Sequence, residues 1–278
     1  MSASLEDSIR GLAHSRALPW GGSGPVLDVR DVAELAKKHA LPGHEVEALA
    51  LELDVTPVRY LRNRQSISRK DQTRLLRASI ALVGLGGLGG SLLEQFLRLG
   101  IGRMRAADGD RFETSNLNRQ ALSTLDGLGR EKVRAARLRA DTVNPSITLE
   151  TRTEYLTPET LPGFLDGCSL AVDALGGLTM RGHLQEAAAR TGIPLVTGAL
   201  AGWSGYVAVV MPGQVGPADL MGMDNGGEEK LGCPAPAVNM VASLMASEVI
   251  NVLTGAPTLN GRMLVMDLRS HTFETISL

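Results

Sequence analysis

The stretch "IALVGLGGLGGSLLEQFLRLGIGRMRAADGD", residues 80–110, constrains this chain more than any other. An apolar run ends in a cluster of glycines and passes straight into a helical pattern. Gly84, Gly86 and Gly89 stand at the spacing G-x-G-x-x-G, with Gly87 and Gly90 beside them. In a strand–turn–helix unit the first glycine allows the tight turn, the second lets a phosphate approach the backbone, and the third lets helix and strand pack closely. The N–H groups and dipole of the helix start favour an anion there. Asp108 lies 19 residues beyond Gly89, at the end of the next strand pattern, where a carboxylate holds ribose hydroxyls. The turn predicts an adenine nucleotide. Alone it fits NAD and FAD as well as ATP.

The flanking patterns set the fold class. "ASIALVG", "GRMRAAD", "ITLETRT", "CSLAVDAL" and "IPLVTGAL" read as strands, separated by helical patterns such as "REKVRAARLRADTV". "YVAVVMP", a long helix over 237–254, and a terminal hairpin in "RMLVMDL" and "HTFETISL" follow. This order predicts an α/β, Rossmann-like, doubly wound sheet, mostly parallel and becoming mixed at its C-terminal strands. Residues 1–70 are expected to form an N-terminal helical arm ahead of a main domain over 71–278. Within the arm, "LPWGGSGPVLD" reads as a loop, and Pro42-Gly43 splits two helical patterns.

Composition narrows the function. Aromatic residues are only 3% of the 278, and the net charge is −2 without a basic block. A stacking platform or phosphate-binding surface for nucleic acid is therefore not expected. The longest apolar helix pattern carries Asn239, Glu248 and Asn251, too polar for a bilayer span. The N-terminus has no apolar core of signal-peptide length. These features predict a cytoplasmic protein without a membrane partner. Cys168 and Cys233 are too few for a four-cysteine zinc site, and the five histidines show no ligand spacing, so no zinc is expected.

Residues after Asp108 favour a triphosphate over a dinucleotide. "DGDRFETSNLNRQ" and then "GREKV" place Asp110, Asn116, Arg119, Gln120, Arg130 and Lys132 just past the strand's carboxyl end, where ligands bind. Arg119 and Lys132 offer two cations for the phosphates.

At these residues the chain resembles the ubiquitin-activating-enzyme superfamily. It is most similar to the bacterial ThiF/MoeB/HesA-type adenylyltransferases of thiamine and molybdopterin synthesis. The matching stretches are "RYLRNRQ" (59–65), "GLGGLGG" (84–90), "DGDRFETSNLNRQ" (108–120), "GREKV" (129–133), "NP" (144–145), "VDALGGLTMR" (172–181) and "ASEVINVLTG" (246–255). The resemblance implies that 71–278 is an ATP-binding adenylyltransferase domain and that the protein is a homodimer using ATP with Mg2+. Its partner would be a ubiquitin-fold sulfur-carrier protein ending in Gly-Gly, adenylated at its terminal carboxylate. Carried over by position, Gly84, Gly86, Gly87 and Gly89 form the phosphate turn, and Asp108 holds the ribose. Asp110 and Asn116 belong to the nucleotide site. Arg119 and Lys132 hold the phosphates, and Arg62 reaches into the partner subunit's site. Mg2+ is expected near Asp173.

Three departures stand out. Gly176 occupies the place of an aspartate that the family associates with the metal and with adenylation. The two zinc-binding C-x-x-C pairs of many relatives are missing. The loop 213–237, where many relatives carry a reactive cysteine, holds only Cys233, at the start of the long helix; structural and catalytic roles both remain open for it. Trp203 either lines the channel for a carrier tail or simply packs, and "GGEEK" (226–230) reads as a solvated loop tip. The impaired alternative is a homologue that binds nucleotide and carrier without adenylation.

Overall fold

The computed structural model describes residues 4–220 and 226–278. The N-terminal module opens with α1 (Leu5–Leu12), capped by the Ser4 hydroxyl, which accepts the Asp7 N–H. β1 (His14–Ala17) and β2 (Ser23–Leu27) form an antiparallel hairpin. α2 (Val29–His39) and α3 (Gly43–Glu52) follow, and β3 (Thr56–Pro57) pairs parallel to β2. A 3-10 turn, Val58–Asn63, then leads to α4 (Arg69–Arg77).

The arm is therefore mixed α/β rather than purely helical, and the stretch read as a loop turns a hairpin and supplies β2. Every residue of β1 is exposed, so no alternation of apolar and polar residues marked it as a strand. The expected boundary after residue 70 falls inside the first turn of α4, a helix that packs on both α3 and the long C-terminal helix.

The main sheet begins with β4 (Ser79–Val83), α5 (Gly87–Leu99), β5 (Arg103–Ala107), α6 (Lys132–Val143) and β6 (Thr148–Arg152). It continues through α7 (Leu161–Leu165), β7 (Leu170–Asp173), α8 (Thr179–Thr191), β8 (Leu195–Ala201) and β9 (Ser204–Val210). α9 (Pro217–Leu220), α10 (Gly226–Leu231), α11 (Ala235–Thr254), β10 (Arg262–Asp267) and β11 (Thr272–Ser277) complete the chain. The segment expected as a loop tip at 226–230 lies within α10. Among the described residues the sheet has the order β11-β10-β9-β8-β7-β4-β5-β6. β8, β7, β4, β5 and β6 are parallel, and β9, β10 and β11 add antiparallel pairs. The sheet is thus mostly parallel and mixed at its C-terminal strands, as the sequence predicts.

Strand periodicity distributes the core to both faces. Ile80 and Leu82 of β4 point into the layer built by α5, α6 and α11, whereas Ala81 and Val83 point to α7 and α8. Each large apolar side chain fully buried this way contributes about 1.5–3 kcal/mol. α11 is long and apolar enough, by length and composition, to cross a membrane. Here it lies against α5, β8 and β9, with Val238, Val241, Met245 and Val249 buried. Cys168 is buried in the turn just before β7, in the layer with α7 and α8.

A buried polar seam ties the N-terminal module to the sheet. The Tyr60 hydroxyl donates to Glu47 (3.1 Å) and accepts from the Asn144 amide (3.3 Å), which also donates to the Leu97 carbonyl (2.8 Å). Ser146 donates to Glu47 (3.3 Å).

Candidate active site

The strand order reverses beside β4, because β5 follows on one side and β7 lies on the other. In open α/β sheets ligands bind in the crevice outside the strand carboxyl ends at such a reversal. A cavity of about 410 Å³ lies there, lined from β4 by Gly84, from β5 by Asp108 and from the segment after β7 by Gly176.

The glycine turn is built as its spacing requires. Gly84 has φ +97°, and a Cβ there would lie 2.4 Å from the Ala174 carbonyl oxygen. A Cβ at Gly89 would lie 1.9 Å from the Gly84 carbonyl oxygen. No side chain at these two positions is compatible with the turn. Gly86 is the N-cap of α5 and Gly87 its first residue; both line the cavity, and no side-chain hydrogen bond caps the helix. Backbone N–H groups therefore face the space where an anion is expected.

Asp108 leaves β5 with its carboxylate nearly buried. One oxygen accepts the Leu85 N–H (2.7 Å) and the other the Asp110 N–H (2.8 Å), which holds the glycine turn in place. An ionised carboxylate offers about four lone-pair sites, so acceptor capacity remains for hydroxyls. Lys132, the first residue of α6, is also buried. Its ammonium donates to Asp110 (2.7 Å) and lies 3.9 Å from Asp108. Burial alone would raise the Asp110 carboxyl. Hydrogen bonds from Lys132 and Tyr155, and the Lys132 charge, bring it below its ordinary value instead. Arg119 lines the cavity, donating to the Ser115 carbonyl (3.0 Å) and the Asn118 side chain (2.9 Å). Gln120 is buried in the cavity wall, and its Oε1 has no hydrogen-bond partner among the described residues. An orphaned buried polar atom of this kind suits a polar ligand.

The fold therefore brings Gly84, Gly86, Gly87, Asp108, Asp110, Arg119 and Lys132 around one cavity. Of the other expected residues, Gln120 joins them in the lining, whereas Asn116, Arg130, Arg62 and Asp173 do not. Asn116 lies outside the lining; its Oδ1 accepts the Glu113 N–H (3.0 Å) and caps a one-turn 3-10 helix. Arg130 is exposed on the adjoining loop, and Arg62 is exposed on the 3-10 turn before α4. Asp173 is a correction to the expected metal position. It is buried, with one oxygen accepting from Arg181 (2.7 Å) and Thr197 (2.7 Å) and the other from the Leu175 N–H (3.1 Å). With Gly176 supplying no carboxylate, these residues do not fit a Mg2+ site at the end of β7.

Cys233 is half-buried and lines the cavity just before α11. Of the loop 213–237, residues 221–225 lie outside the described residues. Trp203 is partly exposed, with the Arg269 guanidinium 5.9 Å from its ring. Sequence reasoning missed Arg181 and Tyr155 as site-building residues. Arg181 closes the quoted "VDALGGLTMR" stretch, but its partners come from β7, the segment after it and β8. It also missed a trio on the N-terminal module, the exposed His14 with the half-buried Asp28 and Asp31, whose ligand atoms lie within 4.8 Å of one another.

Comparison with known proteins bears on the family and the fold. The ThiF family model matches residues 60–278. The sulfur carrier protein adenylyltransferase of Thermus thermophilus is 33% identical over 225 residues, covering 76% of this chain and 82% of that protein. The molybdopterin-synthase adenylyltransferase of Salmonella typhimurium is 30% identical over 227 residues, covering 78% and 91%. The crystal structure of Escherichia coli MccB with ATP has a TM-score of 0.69 at 18% identity, covering 79% of this chain and 71% of that one. The crystal structure of PaaA has a TM-score of 0.66 at 20% identity, covering 96% and 98%, so its likeness in fold includes the N-terminal module. The matched span contains the whole main sheet and the cavity, and the chain belongs to the ThiF family, an enzyme of the adenylyltransferase type.

Proposed function

We propose that this protein uses ATP to adenylate the terminal glycine carboxylate of a ubiquitin-fold sulfur-carrier protein ending in Gly-Gly, for sulfur transfer in cofactor or related biosynthesis. The observation that carries this reading is the buried Lys132 ammonium at the cavity that the glycine turn lines. An ammonium has three donors, and Asp110 takes one here at hydrogen-bond distance. The others are available to phosphate oxygens. A carrier carboxylate oxygen attacks the α-phosphorus, the bond from that phosphorus to the bridging oxygen breaks, and pyrophosphate leaves. Lys132 and Arg119 offset the charge that builds on the leaving group. Asp108 holds the ribose, and alignment rather than a protein nucleophile supplies the catalysis. In this reading the protein is a cytoplasmic homodimer, and the exposed Arg62 serves the partner subunit's site.

ATP–pyrophosphate exchange, with and without Gly-Gly carriers, tests the reading. Carrier-dependent exchange is expected for the wild type and its loss for Lys132→Ala. Absence of exchange with every such carrier would remove it.

A second reading, nucleotide and carrier binding without adenylation, is favoured by Gly176 together with the buried Asp173, which is paired with Arg181 and accepts three hydrogen bonds. A Cβ at Gly176 meets nothing within 4 Å, so a side chain fits there. If Gly176→Asp shows exchange and the wild type none, the second reading holds. Equal exchange in both proteins eliminates it.

A further inference from the structure

Two side chains outside the cavity join the helices whose first turns build it. α5 starts in the glycine turn, with Gly87 lining the cavity, and α6 starts with Lys132. The two helices pack against each other. Glu94 stands seven residues beyond Gly87 and Arg139 seven beyond Lys132, each about 10.5 Å into its helix. Arg139 grips Glu94 with two bonds, Nε to Oε2 (2.6 Å) and Nη2 to Oε1 (2.8 Å). Arg98, on α5 itself, adds another to Oε1 (2.8 Å). Two-point pairing between a guanidinium and a carboxylate fixes direction as well as distance. The Arg139 hydrogen bond outweighs burial and, with Arg98, holds the Glu94 carboxyl below its ordinary value, so the pair stays charged at neutral pH.

The packing beneath this pair does little to set where α6 lies along α5. The buried face of α6 consists of Val133, Ala136 and Ala140, apart from Lys132 itself. Such small side chains make shallow ridges and leave the register loosely specified. At the far ends of the helices Asn144 donates to the Leu97 carbonyl (2.8 Å). One bond of that kind is a pivot. α6 has 12 residues, so Lys132 lies about 18 Å from the pivot, and a swing of about 3° carries it about 1 Å. Asp110 ties Lys132 to the loop after β5 through side chain and backbone, but Asp110 is itself 48% exposed and does not belong to α5. The Glu94–Arg139 clamp gives α5 and α6 a second polar contact, and a second contact removes the swing.

We propose that Glu94 and Arg139 are positioning residues for the adenylation: by locking α6 against α5 they set Lys132 at its working distance from the glycine turn. The inference rests on the adenylation reading and deepens it, naming two side chains that act on the reaction without lining the cavity.

The test measures carrier-dependent ATP–pyrophosphate exchange by the full chain, as maximal rate and KM for ATP, beside thermal melts of the same proteins. Arg139→Gln is expected to lower the maximal rate about tenfold, since a misplacement of about 1 Å costs up to about 100-fold. KM for ATP should stay within about twofold, because the glycine turn and Asp108 still hold the ground state. The melting temperature should move by no more than about 4 °C, the pair being partly exposed. Each single reversal, Glu94→Arg or Arg139→Glu, should lose at least about tenfold in rate. The double reversal exchanges the partners and restores the pair, and its rate should return to within about threefold of the wild type. An unchanged rate in Arg139→Gln overturns the inference while the adenylation reading stands. So does a loss that the double reversal fails to restore, or one matched by a large fall in melting temperature, since the pair would then serve only the fold. Absence of carrier-dependent exchange in the wild type overturns the adenylation reading itself, and this inference with it.

Discussion

At the carboxyl end of the sheet, the Asp173–Arg181 and Asp110–Lys132 pairs lie on either side of the glycine turn. Both close at 2.7 Å, yet their surroundings differ. The side chains of Asp173 and Arg181 are 1% and 3% exposed, whereas Asp110 is 48% exposed beside a Lys132 that is 7% exposed. Arg181 also donates to the carbonyls of Leu175 (2.5 Å), Gly177 (2.8 Å) and Gly198 (3.0 Å), and Asp173 accepts three hydrogen bonds in all. That pair stitches the segment after β7 to β8. The Asp110–Lys132 pair opens onto the cavity, where water or a ligand oxygen can replace either partner. One pair is committed to the fold, and the other keeps donors and acceptors in reserve. The same two residue types yield a structural clamp or a binding element according to how completely their valences are used.

The largest effect is expected from breaking the closed pair. Asp173→Ala leaves the Arg181 guanidinium buried without its counter-charge, which costs about 3–5 kcal/mol. Urea unfolding measures it, and a loss below about 1 kcal/mol would mean that solvent reaches Arg181 and the two pairs are alike. Breaking the open pair should separate activity from stability. Lys132→Ala is expected to lower ATP–pyrophosphate exchange by about 100-fold or more, the scale of removing one oriented charge-stabilising donor. Its melting temperature should move far less than that of Asp173→Ala, because the exposed Asp110 regains water. Equal destabilisation of the two variants would erase the distinction.

Much of this arrangement was legible in the sequence, for identifiable reasons. Buried parallel strands are runs of apolar residues, so β4, β7 and β8 could be read directly. The turn at 84–89 needs glycine on steric grounds, and Asp108 follows it at the length of one helix and one strand. Lys132 was legible as a cation just past the second strand of the sheet. What escaped depends on long-range pairing. Asp173 reads as a free carboxylate until β8 brings Thr197 beside it, and Arg181 comes back onto it only through the turn between β7 and α8. Tyr155 belongs to no local motif; it acquires a setting when β6 lies beside β5 and carries it over Gly109. β1 was unreadable because all its residues are exposed and its strand character comes from pairing with β2.

The smallest effect is expected from pH at the open pair, and it sharpens the comparison most finely. Hydrogen bonds from Lys132 and Tyr155 outweigh the effect of burial and hold the Asp110 carboxyl below the ordinary value of 3.8. A carboxyl depressed on folding adds stability that is fully present above that ordinary value and is lost as pH falls through the folded one. Asp110→Asn should therefore be less stable than the wild type at pH 7, and the gap should close as acidification carries the pH below 3.8 and through the depressed folded value. With half the side chain in solvent, the gap should be below about 1 kcal/mol and should shrink in 1 M salt, where the screening length is about 3 Å. Urea titrations of both proteins at each pH and salt concentration read this out. A gap that survives both acid and salt would show that Asp110 holds the fold as Asp173 does, and that the cavity-side pair keeps nothing in reserve for a ligand.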